Sequence, residues 1–205
     1  MLDVLKIPTS ELFALLTAVG FAAGLNLYAT IAVLGLLARF GHLPLPPGIE
    51  PLQSWPVIIA SLILFGVEFF ADKIPAFDLI WNALHTFIRV PVAGLLAYRA
   101  TSQLPPEHQL LATLIGAGVA LIAHSGKTAV RAAVTPSPEP FSNITLSLSE
   151  DVLAIGLTWL ATRHPYVAGF VAATFVFIVF VTIRWVIRAM CSLFRGAEQK
   201  VASAS

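Results

Sequence analysis

Four polar residues in one apolar stretch keep helical time. Asp78, Asn82, His85 and Arg89 are spaced i, i+4, i+7 and i+11. At about 100° per residue they share an arc of roughly 60° on a helix. A later stretch carries His124, Lys127 and Arg131 at i, i+3 and i+7, again within roughly 60°. Glu68 and Asp72 lie one turn apart, with Lys73 next, and Glu150 and Asp151 are adjacent. Glu68, Asp72, Asp78, Glu150 and Asp151 thus oppose the fixed cations Lys73, Arg89, Lys127 and Arg131, with two histidines between. Such a set can hold a cation on Glu68, Asp72 and Asp78, or an anionic group on Arg89, Lys127 and Arg131. His85 and His124 can carry protons, because histidine titrates near neutrality without help. The cationic second stripe leans slightly towards an anionic or phosphate-bearing solute or lipid head group.

The elements that position these residues are apolar. The chain has 205 residues, 58% apolar and 11% charged, against about 45–50% and about 25% for a soluble domain. That excludes a disordered chain, a disulfide-stapled secreted domain and an ordinary soluble enzyme. A polytopic, all-α membrane protein remains, since no segment alternates as a barrel strand must. The formal charge of +1 gives no electrostatic case for nucleic acid. The lone cysteine, Cys191, forms no internal disulfide. The N-terminus reads as a retained helix rather than a cleaved signal.

Apolar runs at about 11–38, 54–72, 78–100, 108–134, 148–163 and 166–190 predict about six transmembrane helices in one domain over 1–195. A tail at 196–205 reads as disordered. Proline-rich segments at 42–51, 104–107 and 135–140 read as loops. The first and fourth runs exceed a straight crossing of roughly 30 Å. Gly20, Gly24 and Asn26 are weak points in one, and Gly116, Gly118 and Gly126 in the other. Close packing through small residues is the plain reading. The sharper reading is a broken or re-entrant helix that exposes backbone groups to a site, with Asn26 among the site residues. Arg184, Arg188, Arg195 and Lys200 put the C-terminus in the cytoplasm, and six spans put the N-terminus there too.

Residues 66–75, GVEFFADKIP, align with 156–165, GLTWLATRHP, through Gly66/Gly156, Ala71/Ala161, Lys73/Arg163 and Pro75/Pro165. Half-repeats at about 11–100 and 108–190 of three spans each must insert in opposite senses, giving an inverted repeat.

Several segments resemble one bacterial membrane family, catalogued as domain of unknown function 4126. They are GFAAGLNLYATIAVLGLL at 20–37, VEFFADKIPAFDLIWNALHTFIRVPVAGLLA at 67–97, AHSGKTAVRAAVTPSPEPFSN at 123–143 and LSEDVLAIGLTWLA at 148–161. The resemblance implies an integral membrane protein and no activity. A weaker likeness links Glu68-Phe-Phe-Ala-Asp72-Lys73 to the Glu-x-Gly-Asp-Lys-Thr signature of calcium/manganese–proton exchangers. One extra residue before Asp72 turns that carboxylate by about 100°, and the second half has no acidic counterpart.

Ionisable groups inside spans mark function by default. The leading expectation is a small secondary transporter or permease of the bacterial inner membrane. Its partners would be the lipid bilayer and a small solute, ion or lipid head group; a homo-oligomer stays open. The plain alternative is a scaffold or accessory subunit held together by a structural ion-pair network. A cation/proton exchanger is a third. An intramembrane enzyme is a fourth, but His124 and Ser125 point about 100° apart and make a poor base–nucleophile pair. No catalytic, metal or cofactor motif is present.

Overall fold

The computed structural model describes residues 8–41, 45–134 and 140–202. The chain is helical, with no strand among the described residues. Seven α-helices are described: α1 (Thr9–Leu25), α2 (Leu27–Phe40), α3 (Trp55–Ala71), α4 (Pro75–Ala100), α5 (Pro106–Val134), α6 (Pro140–Arg163) and α7 (Pro165–Ala202). The last four each open on proline. Proline's fixed φ suits the first helical position, where its missing N–H would be unpaired anyway.

Four segments are long and apolar enough to cross a bilayer: Ile80–Ala100, Pro106–Arg131, Ile144–Arg163 and Pro165–Trp185. Their outer faces are greasy. Phe87, Phe141, Phe170, Phe177 and Trp185 stand exposed, which water would penalise and hydrocarbon would not. The fold is that of a helical membrane protein.

The first apolar run is discontinuous. Asn26 adopts extended backbone (φ −147°, ψ 102°) between α1 and α2. The fourth run is not broken: α5 is one helix of 29 residues. Gly116 and Gly126 serve packing instead. Close packing through small residues thus holds in both runs, and the break occurs in the first. α4 likewise continues through Pro91.

Two boundaries move. The fifth run, predicted from 148, starts at Pro140, because proline there opens a helix rather than ending a loop. Glu150 and Asp151 therefore sit well inside α6 and not at its edge. The predicted disordered tail is helical to Ala202, since Ala197, Glu198, Gln199 and Lys200 are good helix formers; residues 203–205 lie outside the described residues.

Small residues bring the central helices together. A Cβ added at Gly24 would lie 2.5 Å from the Ala120 carbonyl oxygen and 2.7 Å from the Ala123 Cβ. One at Gly20 would meet the Gly116 carbonyl at 3.1 Å. α1 and α5 thus touch backbone to backbone. α4 packs against α5 as well, with Ala93 and Ala97 against Gly116. α7 lies along α1, with Gly169 against Ala14. The buried faces of α4 and α5 change character along their length. Polar Asn82, His85 and Arg89 give way to Ala93, Ala97 and Ala100; Ala112, Ala120 and Ala123 give way to His124, Lys127 and Arg131.

Gly24→Val should lower the unfolding midpoint of the detergent-solubilised protein, by the roughly 1–3 kcal/mol of an overpacked core or more. Gly118→Ala should not lower it and should raise it slightly, since nothing lies within 4 Å of the added Cβ and alanine is the better helix former. Equal midpoints for the two variants would refute the close α1–α5 contact.

Candidate functional site

A helix leaves its last four carbonyls without intrahelical partners, and these carry the negative end of its dipole. α1 ends inside the bundle, so those carbonyls need donors. Arg89 on α4 supplies one: its Nη1 donates to Gly24 O (3.3 Å) and Leu25 O (3.0 Å). Lys127 on α5 supplies another, from Nζ to Leu25 O at 3.1 Å. Asn26 joins the two half-helices. Its N–H donates to Ala22 O (2.9 Å), and its Oδ1 accepts from Ala29 N–H (2.9 Å) as the N-cap of α2. Its remaining donor, Nδ2, reaches Asp151 Oδ1 on α6 at 2.9 Å.

The cations are balanced from α3 and α6. Arg89 pairs with Glu68. Lys127 Nζ lies 3.0 Å from Asp72, 3.3 Å from Glu150 and 3.5 Å from Glu68. Arg131 binds Glu150 and Asp72, the latter at 2.9 Å. All of these groups are buried. Isolated, each would cost several kcal/mol of lost hydration, so the pairing is obligatory.

The pairing is incomplete. Among the described side chains, four buried carboxylates (Glu68, Asp72, Glu150, Asp151) face three buried cations. Asp151 has an amide for a partner and no cation. Glu68 Oε2, Asp72 Oδ1 and Asp151 Oδ2 have no hydrogen-bond partner. One buried donor, Arg89 Nε, lacks a partner as well, so among the described charged groups unpartnered acceptors outnumber unpartnered donors three to one.

Both histidines are bound into the network. Nδ1 of His85 lies 2.8 Å from the Trp81 carbonyl and must donate to it, so Nε2 accepts from the Tyr28 hydroxyl at 3.0 Å. His124 Nδ1 accepts from Arg89 at 3.2 Å, while its Nε2 faces Thr86 Oγ1 (2.7 Å) and Asn82 O (3.1 Å). These partners assign each ring its neutral tautomer. Each is within reach of a donor and an acceptor, the arrangement a proton relay needs.

Eleven of the twelve predicted site residues lie in this assembly: Asn26, Glu68, Asp72, Asn82, His85, Arg89, His124, Lys127, Arg131, Glu150 and Asp151 are all buried. The side chain of Asp78 lies outside the described residues. Lys73 is a fourth cation beside the ion pairs: its Nζ donates to Phe69 O at 2.7 Å and rests over the Phe69 ring, while Asp151 and Asp72 act on it from farther off. Burial in the α3–α4 turn pulls its ammonium below the ordinary lysine range. Ser125 is exposed and makes no pair with the buried His124. No group of three or more metal-binding side chains occurs among the described residues.

The sequence reading missed Tyr28, Thr86 and Ser147. Ser147 had a signal. With Asp151, Ala154 and Thr158 it repeats the i, i+4, i+7, i+11 spacing, and all four are buried. Tyr28 and Thr86 act through helix neighbours that sequence spacing does not name.

A buried charge network at a broken helix, inside apolar walls, defines a helical membrane protein with a polar interior. The chain belongs to the family described as a domain of unknown function (DUF4126), whose model matches residues 13–185. No curated protein and no solved structure matches it.

Asn26→Asp should keep the cap on α2 but set a second carboxyl against Asp151, lowering the unfolding midpoint more than Asn26→Ser does. Adding Asp151→Asn should restore most of the loss; no rescue would refute the contact. Arg89→Met should destabilise by about 3–5 kcal/mol, as breaking a buried pair does. Arg89→Met combined with Glu68→Met should cost less, measured by chemical or thermal unfolding in detergent.

Proposed function

We propose that the chain is a small proton-coupled secondary transporter whose central site is the charge network around the break at Asn26. One observation carries this reading. A helix stops in mid-bundle, its carbonyls bind Arg89 and Lys127, and among the described carboxylates of the surrounding network Asp151 has an amide and no ion pair. In broken-helix transporters the freed backbone groups and half-helix ends line the substrate and coupling-ion sites. A buried carboxylate without an ion pair invites a proton, and Asp151 is that residue. It is buried with one oxygen unpartnered. Glu68 and Asp72 from α3, Lys127 from α5, Lys73 from the α3–α4 turn and Asn26 act on it. Protonation would remove that charge and weaken the demand for Lys127.

We favour a cationic over an anionic solute at this site. Lys127 and Arg131 are engaged by carboxylates, so an anion would have to displace them.

We read the membrane arrangement as six spans, with α1 and α2 forming the first, both termini cytoplasmic, in a bacterial inner membrane. Part of the packing supports two inverted halves, while α1 also lies on α6 and α5 makes no comparable backbone contact with α3. α1 lies on α5; α4 lies on α5 as α7 lies on α1; α4 also touches α1 as α7 touches α5. Exchanging the halves reproduces each of these contacts.

The test is water access. Single cysteines at Asn82, Thr86 and Ser147, in a chain carrying Cys191→Ser, are exposed to a membrane-impermeant thiol reagent from each side at acidic and alkaline pH. Labelling should depend on side and pH, and Asp151→Asn should abolish the pH dependence. Complete protection at all three positions in the folded protein would mean a dry ion-pair network and a structural role.

A further inference from the structure

Between α5, α6 and α7 lies a cleft of about 280 Å³. It opens on the apolar flank, where its lining residues Val130, Leu153 and Ile178 are exposed. Only two of the residues that line it are charged, Lys127 and Glu150. The cleft therefore joins the hydrocarbon side of the protein to the edge of the charge network.

The chemistry at that edge is one-sided. Lys127 Nζ has three protons and four acceptors around it: Leu25 O, Asp72, Glu150 and Glu68, at 3.1, 3.0, 3.3 and 3.5 Å. One acceptor is always left over. Glu150 is the one of these carboxylates that lines the cleft, and Arg131 still holds it through Nε and Nη2 when Lys127 lets go. It is also the network carboxylate with the most side-chain exposure, at 9%. Behind it, Glu68 Oε2, Asp72 Oδ1 and Asp151 Oδ2 lack partners. Among the described charged groups, three acceptors lack partners against one donor, Arg89 Nε, and Asp151 has an amide and no ion pair. A carboxylate or phosphate ligand would add further acceptors and negative charge.

We propose that the cleft admits an amphipathic primary amine from the bilayer, with its hydrocarbon against Val130, Leu153, Phe175 and Ile178 and its ammonium on Glu150. This rests on the transporter reading above and names the substrate class of that site. An ammonium supplies three N–H donors and one positive charge, which suit the unpartnered acceptors.

The full-length protein in lipid nanodiscs is titrated with decylamine, decanol and decanoate, and its unfolding midpoint is followed. Decylamine should raise the midpoint saturably, and the other two should not. Glu150→Gln should weaken the apparent affinity about tenfold, the usual scale of one charged hydrogen bond. Ala129→Phe should weaken it as well. Ala129 lines the cleft from an exposed position, so this variant keeps the test valid if Glu150→Gln fails to fold. An equal response to decanol would reduce the cleft to a slot for lipid chains and overturn the proposal. A preference for decanoate, or undiminished decylamine binding in the variants, would overturn it too. Cysteine labelling needs no amine, so pH-dependent labelling without decylamine binding would reject this substrate class and leave the transporter reading standing.

Discussion

The end of α1 is the constraint on which the arrangement depends. A helix that terminates inside an apolar bundle leaves carbonyl groups where no water can satisfy them. Arg89 and Lys127 meet those at Gly24 and Leu25. Bringing cations there creates a second need, because they too are out of water. Glu68, Asp72 and Glu150 meet that need. Each step of this sequence of compensations draws in another helix, until α1, α3, α4, α5 and α6 all contribute to one network. Asn26 makes the break tolerable by capping α2 and donating to Asp151 at once.

The network could not form without the alanine and glycine seam beside it. Gly20 and Gly24 let the α1 backbone lie against Gly116 and Ala120. That proximity places Lys127, one turn beyond Ala123, within reach of the Leu25 carbonyl. At the other end of the same faces, Ala93 and Ala97 pack against Gly116. Small side chains set the distance, and charged ones make use of it. Gly48 has a related role in the α2–α3 connection. Its φ of +96° and its approach to the Arg99 carbonyl exclude a side chain, so the connection seats on the end of α4.

What the network can do follows from its imbalance. A fully matched set of ion pairs would be inert scaffolding. Here three carboxylate oxygens have no partner, one carboxylate has only an amide, and an apolar cleft reaches the edge of the set. The two histidines stand in chains of hydrogen bonds that include Tyr28 and Thr86. A proton arriving at Asp151 would alter the charge felt by Lys127, and with it the hold on the end of α1.

Composition and periodicity alone determined that this is an all-helical membrane protein, and which residues face inward. The stripes Asn82–His85–Arg89 and His124–Lys127–Arg131 follow from helical spacing, and a charge in a lipid-crossing run has nowhere to go but the interior. The weak point at Asn26 was also legible, as a polar residue after two glycines in an over-long run. The sequence did not decide whether the first or the fourth run breaks, because both carry glycines and only neighbours reveal which backbone groups find donors. Nor did it place Glu150 and Asp151 in the interior, since Pro140 reads equally as loop or as helix start. Above all, the pairing of Glu68 with Arg89, of Asp72 with Lys127 and Arg131, and of Asp151 with Asn26 came only from the tertiary structure. Partners separated by tens of residues are chosen by how helices pack, and local spacing carries no record of that choice.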